Sequence, residues 1–341
     1  MSESELPQVT YIFGAGASAN VLPTIKGLPA RIKAVREFID QQFQYDAEEY
    51  HSPAKDHKFL KNEAKDFILQ GMDRLFEVSS GHSTIDTYAK RLYLNRRSTE
   101  VSELVFFLAL YFNIEQKLVG VDPRYDTFLI SILSSDAYRF PKNLKFLTWN
   151  YDSQMEIAHS RLSRINSKDL GSGMFSTDLS RAEKDEFISV KINGTSDFKA
   201  RFDETMPIVK NLLMPDFSQE DFDGALSFAY YHLKERKKLF GMGVNINFAW
   251  YQDHSVLSKV TELYDGTEIL VVIGYSFPFF NREIDRKIIR AMSKLKKIYI
   301  QDCQPENIKS RFLSILPDWQ ERGIQIIAVS DVSEFFLPPE L

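Results

Sequence analysis

Six short apolar runs punctuate the chain, at residues 9–13, 144–149, 187–192, 269–273, 298–301 and 324–329. They are rich in Ile, Val, Phe and Tyr, and charges or turn residues flank them, which is the pattern of strands. They lack the strict alternation of a half-solvated strand, so the pattern predicts a parallel sheet covered on both faces. Residues 244–250 are a weaker strand candidate, because Asn245 and Asn247 interrupt the apolar run. The long segment 30–141 has helical periodicity. Ile32, Val35, Phe38 and Ile39 fall on one stripe, and 101–118 is apolar enough to predict a buried helix. A second segment, 199–264, has a helical stretch at 222–239, preceded by Ser218-Gln219-Glu220-Asp221 at capping-box spacing. The expectation is an α/β fold: a Rossmann-like parallel sheet with helices on both faces and large helical insertions. The sheet is assembled from 1–29, 142–198 and 265–341, with 30–141 and 199–264 looping out as a helical and a mainly helical insertion.

The first run passes directly into Gly14-Ala15-Gly16-Ala17-Ser18-Ala19. The spacing Gly14-x-Gly16-x-x-Ala19 is that of a nucleotide cradle. Gly14 permits a tight turn, Gly16 lets backbone approach a pyrophosphate, and Ala19 lets a following helix pack close with its positive end toward the anion.

Composition narrows the picture. A length of 341 residues predicts about two compact units. The net charge of −5 provides no general attraction to nucleic acid or to anionic membranes. The basic runs 234–238 and 294–297 read as solvated helix faces. Cys303 is the single cysteine, so neither an intrachain disulfide nor a thiolate zinc site can be built. It is expected to be a partly buried small residue. No apolar run approaches the ~20 residues that span a bilayer, and the polar N-terminus lacks a secretory pattern. The expected setting is cytoplasmic.

Ligands of doubly wound sheets sit beyond the C-terminal strand ends. There the chain places Gly14 to Ser18, Asn150-Tyr151-Asp152, Asn193-Gly194-Thr195-Ser196-Asp197, Gly274-Tyr275-Ser276 and Asp302. Simpler roles exist for several of these. Ser18 can cap a helix, Asn150 and Asp152 can form an Asx turn before a helix over 153–162, and Asp302 can be an N-cap.

In order and context, Gly14-Ala15-Gly16-Ala17-Ser18, Thr148-Trp149-Asn150-Tyr151-Asp152, Lys191-Ile192-Asn193-Gly194-Thr195 and Gly274-Tyr275-Ser276 resemble the SIR2-like superfamily, the sirtuin-type NAD-binding fold. Ser83-Thr84-Ile85-Asp86 is similar to a short helical motif of its bacterial branch. The resemblance covers the sheet elements and not the insertions. It implies that Gly14, Ala15, Gly16, Ala17 and Ser18 hold the pyrophosphate. It places Asn150 and Asp152 at the nicotinamide and its ribose, Gly274, Tyr275 and Ser276 at the adenosine half, and Asp302 at the adenosine ribose. It further implies an NAD⁺ hydrolase that releases nicotinamide and ADP-ribose in bacterial anti-phage defence. A homo-oligomer or an ATPase partner would regulate it. The four-cysteine zinc module of protein deacetylases is missing.

One position departs from the pattern. Asn193 stands where the family has a histidine that serves as base, and an amide has no usable proton affinity near neutral pH. Asp152 is the nearest substitute by position, and His82 is a second. Cleavage of the nicotinamide–ribose bond passes through an oxocarbenium-like transition state, which a carboxylate can stabilise without acting as a strong base. The alternative is a module that binds NAD or an ADP-ribose derivative without turnover. A dinucleotide oxidoreductase needs an acid at a strand end about 20 residues after the glycines, and Glu37 and Asp40 lie in a helical pattern instead.

Overall fold

The computed structural model describes residues 6–43, 49–51, 58–133, 140–163, 175–176, 189–199, 222–223, 226–227, 230, 243–248, 250 and 254–341. The chain begins with strand β1 (Val9–Phe13), a single 3₁₀ turn (Ala15–Ser18) and helix α1 (Leu28–Gln42). Next come β2 (Glu49–His51), β3 (Lys58–Leu60), α2 (Lys61–Gly81), α3 (Ile85–Leu94), α4 (Ser98–Val119) and α5 (Pro123–Ile132). β4 (Leu144–Thr148), α6 (Gln154–Ser163), β5 (Phe175–Ser176), β6 (Ser189–Lys191), β7 (Gly194–Lys199) and β8 (Gly243–Ile246) follow. The last part holds α7 (His254–Tyr264), β9 (Ile269–Ile273), α8 (Arg282–Ala291), β10 (Lys297–Gln301), α9 (Pro305–Leu313) and β11 (Gln325–Val329).

A seven-stranded sheet has the order β11-β10-β9-β1-β4-β6-β5. Every pairing in it is parallel. The chain winds outward from β1 through β4 to β6, then returns to the other side of β1 and winds through β9 and β10 to β11. The direction of winding therefore reverses between β1 and β9, the place where open α/β sheets form a crevice. The register makes that edge flush. Phe13 pairs with Thr148 on one side and Ile273 on the other, and Thr148 pairs with Lys191 while Ile273 pairs with Gln301.

Alternation along the strands feeds two cores. Ile12, Leu147, Val190, Leu270, Val272, Ile298 and Ile300 pack on one face with Val260 and Tyr264 of α7, Ile288 and Ile289 of α8, and Ile308 and Phe312 of α9. Val9, Tyr11, Phe13, Phe146, Val271 and Tyr299 pack on the other face with Tyr125, Phe128 and Leu129 of α5 and Met155 and Ala158 of α6. Fully burying one such side chain is worth about 2 kcal/mol, so helices on both faces are what the double-sided apolar strands require.

The chain forms two compact units. The sheet unit comprises Met1–Leu22, Val121–Gly194 and Asn247–Leu341, and the second unit comprises Pro23–Gly120 and Thr195–Ile246. The two looped-out segments thus meet within one unit, where Asn113 Nδ2 on α4 donates to Ser196 O at 2.8 Å. In that unit Glu115 is fully buried, with Arg31 Nε at 2.6 Å. α5 and α7, which the sequence pattern assigns to insertions, instead cover the sheet.

Other differences from the expectations have local causes. No helix follows the glycines directly. Between the 3₁₀ turn and Pro23 only four residues remain, too few for a stable helix, and proline disfavours the helical conformation of the residue before it. Residues 294–297 form a turn entering β10 rather than a helix face, with Lys296 and Lys297 pairing with Glu268 and Glu340 at 2.5 Å each. Cys303 is exposed, because it lies in the turn past β10. The capping-box sequence 218–221, the basic run 234–238 and most of 222–239 lie outside the described residues. Phe222, Asp223, Leu226, Ser227 and Tyr230 are helical. Among the described residues no single helix is long and apolar enough to cross a membrane.

Candidate functional site

The sheet unit gathers Gly14 to Ser18, Asn150, Asp152, Asn193, Gly274, Tyr275, Ser276 and Asp302 at the C-terminal strand ends. Their arrangement differs from one side of β1 to the other.

Between β1 and β9 the glycines interlock. Gly14 N donates to Ile273 O at 3.0 Å and Gly16 N to Gly274 O at 2.9 Å. A Cβ on Gly14 would lie 2.6 Å from Tyr275 Cα, one on Gly16 2.7 Å from Gly274 Cα, and one on Gly274 2.4 Å from the Gly16 carbonyl carbon. Gly274 also has φ +59°, and Phe277 has φ +47°, so this turn takes the left-handed conformation twice within four residues. The glycines are therefore required for backbone to meet backbone. The space that a Gly16 side chain would fill is occupied by the Gly274 backbone. Ala17 N is also engaged, donating to Gly14 O at 2.9 Å. Ala15 is exposed, and its N–H has no protein acceptor among the described residues.

Between β1 and β4 the contacts are made by side chains. Asn150 Nδ2 donates to Gly14 O at 3.0 Å, and Thr148 Oγ1 accepts from Asn150 N at 3.0 Å. Asn193 Nδ2 donates to Trp149 O at 3.0 Å, while Asn193 Oδ1 is buried without a hydrogen-bond partner among the described residues. Trp149 Nε1 is likewise buried and unpartnered. The Trp149 ring stacks on Tyr275 with centroids 5.5 Å apart and planes within 7°. These residues follow strands on opposite sides of β1 and meet because Gly14 between them has no side chain. Tyr275 OH lies 3.1 and 3.0 Å from the two Asp285 carboxyl oxygens and accepts from Asn281 Nδ2 at 3.0 Å. Burial pushes the Asp285 carboxyl well above the ordinary aspartate value, against the hydrogen bond from Tyr275.

Asp152 is buried at the start of α6. Its Oδ2 accepts from Ser18 Oγ at 3.1 Å and its Oδ1 from Gln154 N at 3.2 Å. The Asx-turn reading of Asp152 therefore holds, and the carboxyl still reaches the glycine loop. Burial raises its pKa, and the Lys191 ammonium and these two hydrogen bonds oppose the rise. Lys191 Nζ donates to Asp152 O and pairs with Glu156 Oε1 at 2.6 Å. Asp152, Glu156, Lys191, Thr148 and Ser189 join apolar walls around a cavity open over about 20 Å³ to the centre of a water-sized sphere. That is room for about one water molecule.

Sequence reading missed what holds the loop. The first turn of α5 clamps it. Arg124 Nη2 donates to Gly16 O at 3.3 Å and Ala17 O at 3.0 Å, and pairs with Asp122 Oδ2 at 2.7 Å. Arg124 Nη1 also donates to Val332 O at 3.2 Å. Asn20 Nδ2 donates to Asp122 Oδ1 at 3.3 Å, and Tyr125 OH lies 3.1 Å from Ser18 Oγ. Burial works against the Asp122 carboxylate, but the Arg124 guanidinium prevails and holds it below the usual range. The dipeptide Asp122-Pro123 is a helix-start signal in the sequence. Nothing local says that the arginine beside it turns onto the loop. Ser18, for which a helix cap was the simpler role, instead joins Tyr125 to Asp152.

The remaining candidates make no side-chain contact with this cluster among the described residues. Ser276 is exposed, and its carbonyl accepts from Arg311 Nη1 at 3.2 Å. Asp302 is half-buried, with Oδ1 accepting from Gln304 N at 2.8 Å, as an Asx turn before α9. Its charge raises the neighbouring Cys303 thiol. His82 belongs to the second unit, where its Nδ1 lies 3.2 Å from Val78 O. Ser83 precedes α3, Thr84 caps it with Oγ1 accepting from Thr87 N at 3.1 Å, and Ile85 and Asp86 open the helix. His159 is buried and stacks on Phe140 at 5.5 Å, a packing role. Glu37 and Asp40 lie within α1, and Asp40 pairs with Arg36 at 2.8 Å and Lys65 at 3.1 Å. No group of three or more His, Cys, Asp or Glu side chains among the described residues could hold a metal ion.

No family model matches the chain, and no curated protein sequence matches it. Among solved structures, one described as the structural basis of sirtuin substrate affinity is 12% identical with a TM-score of 0.37, covering 88% of this chain and 84% of its own. A structure of Sir2Tm bound to a propionylated peptide is 11% identical with a TM-score of 0.37, covering 94% and 95%. A Sir2 histidine-to-alanine variant with a deacetylated p53 peptide and 3′-O-acetyl ADP ribose is 11% identical with a TM-score of 0.32.

Proposed function

We propose that the chain is a SIR2-like NAD⁺ hydrolase that releases nicotinamide and ADP-ribose. The observation that carries this reading is the convergence, at the winding reversal beside β1, of the four motifs on which the sirtuin resemblance rests. Asn150 reaches Gly14, Asn193 holds the Trp149 backbone, Trp149 stacks on Tyr275, and Gly274 locks onto Gly16. Orphaned buried polar atoms at this point, Asn193 Oδ1 and Trp149 Nε1, suit a ligand with hydroxyl and carboxamide groups. The loop suits the diphosphate less well, because the N–H groups of Gly14, Gly16 and Ala17 are already engaged, while that of Ala15 has no protein acceptor among the described residues.

In this assignment Asn150 and Asn193 orient the nicotinamide and its ribose. Asp152 supplies negative charge beside the ribose, where positive charge develops as the glycosidic bond breaks. Ser18 and Lys191 fix that carboxyl in place. Turnover below that of histidine-bearing relatives is expected, since no group here combines the histidine's position with its basicity. The resemblance, rather than the geometry, supports a role in anti-phage defence and control through self-association or an ATPase partner.

The second reading is a binding module. Asn193, tied to the Trp149 carbonyl in place of a base, favours it. One experiment separates the two. Nicotinamide release and calorimetric NAD⁺ binding are measured on the full chain, Asn150→Ala and Asn193→His. Release by the wild type that Asn150→Ala abolishes supports the hydrolase. Binding without release, with cleavage appearing in Asn193→His, supports the module. Neither binding nor release refutes both.

A further inference from the structure

Beside this site lies a group of arginines without counter-charges. Arg282, Arg286 and Arg290 follow one another at four-residue spacing on α8, and Arg311 lies in the last turn of α9. Lys287 pairs with Glu283 at 3.0 Å and Lys309 with Glu306 at 3.9 Å, but no carboxylate pairs with any of the four arginines among the described residues. Arg282 Nη2 and Arg286 Nη2 both point at Ser314 O, at 3.0 and 3.5 Å, and Arg311 Nη1 reaches Ser276 O at 3.2 Å. The Nε atoms of Arg282 and Arg286 are buried without an acceptor.

A cation beside the last carbonyls of α9 is favourable, and that accounts for one guanidinium. It does not account for several. Like charges four residues apart on a helix repel, and in a chain of net charge −5 such a cluster runs against the average. Ser276 lies two residues past Gly274, so the patch adjoins the crevice. At the head of α8 stands Phe279, 84% exposed. Of the acids close to these arginines in sequence, Asp302 is engaged by Gln304, Glu283 by Lys287, Asp285 by Tyr275 and Glu306 by Lys309.

We propose that Arg282, Arg286 and Arg311 form a phosphate-binding patch on the adenosine side of the site, with Phe279 as a stacking face for the base. The dinucleotide taken here then carries a further phosphate on its adenosine ribose. Guanidinium forks match phosphate oxygens bidentately, and these have donors to spare. The proposal rests on the dinucleotide reading above.

The test is calorimetric titration of the full chain with ADP-ribose and with ADP-ribose 2′-phosphate. The wild type is expected to bind the phosphorylated ligand at least tenfold more tightly, with the preference shrinking as salt rises. The double variant Arg286→Ala, Arg311→Ala is expected to lose the preference while ADP-ribose affinity stays within about threefold. Lys287→Ala, on the same helix, should keep it, and Arg286→Lys should keep part of it. Equal affinity of the wild type for both ligands overturns the phosphate patch and leaves the dinucleotide reading standing. Failure to bind either overturns both. Binding of a single-stranded RNA that the same arginine variants abolish, with no nucleotide preference, reassigns the patch to nucleic acid and overturns the proposal.

Discussion

The two sides of β1 use their polar and small residues in opposite ways. Toward β9, three glycines bring backbone against backbone, and the exposed hydrogen-bonding groups are largely consumed. Toward β4 and β6, amide and indole side chains lie at the same sheet edge with acceptor and donor atoms left over. The first side is a mechanical joint, and the second is where a ligand can gain hydrogen bonds. A glycine motif beside a strand therefore does two jobs that sequence alone merges: it fixes the crossing of two turns, and it leaves a neighbouring edge free for chemistry.

Substitutions sharpen that contrast. The largest effect is expected on the joint. Gly274→Ala combines a left-handed φ with contacts below 2.6 Å to the Gly16 and Ala17 backbone, and should destabilise by about 5 kcal/mol or more. Gly120→Ala also imposes a backbone conformation that glycine favours, with φ 75° and ψ −152°, but meets nothing within 4 Å, and should cost only about 1–3 kcal/mol. Denaturant melts of the two variants separate collision from conformation. Equal losses would show that the interlock is not the cause.

Next comes the clamp on the loop. Arg124→Ala leaves the Asp122 carboxylate buried and unpaired, and is expected to cost about 3–5 kcal/mol. Combining it with Asp122→Asn should restore part of that loss, as a double-mutant cycle in urea would read.

The Tyr275–Asp285 pair makes the joint sensitive to pH. Its carboxyl is neutral in the fold well above the ordinary aspartate value of 3.8, whereas in the unfolded chain it ionises there. The folded state then holds the extra proton. This contribution to stability is complete below pH 3.8 and is lost as pH rises toward the raised folded value. Asp152 acts in the same sense. Asp285→Asn should flatten the fall of Tm with pH above that point. An unchanged slope would exclude Asp285 as its source.

The smallest change is expected on the open side. Asn193→Ala gives up one hydrogen bond and removes an orphaned acceptor, so stability should shift by about 1 kcal/mol or less. Binding of NAD⁺ should weaken far more than stability does. A loss of stability comparable to that of Gly274→Ala would make Asn193 part of the joint instead.

Much of this was legible along the chain. Six of the seven sheet strands were visible because they lie in short apolar runs, whereas the two-residue β5 was not. The Asx turn at Asp152 was read from a short carboxylate before a helix, but Asp302, read as an N-cap, makes an Asx turn ahead of Gln304 instead. Arg124 was invisible because its importance lies in two carbonyls more than a hundred residues away. The Trp149–Tyr275 stack was hidden for the same reason: it joins residues 126 positions apart in sequence across a strand that precedes both.

The sequence by itself determined the doubly covered parallel sheet and which polar residues stand at its strand ends, since periodicity and turn chemistry are local properties. Only the tertiary structure decided which of those residues touch. It spent the glycines on each other and turned Ser18 inward to Asp152. It also placed α5 on the loop, left Asn193 Oδ1 without a hydrogen-bond partner and left the α8 arginines without a carboxylate among the described residues. Such outcomes depend on which side chains compete for the same space after the strands have paired, and that competition is settled between segments distant in sequence.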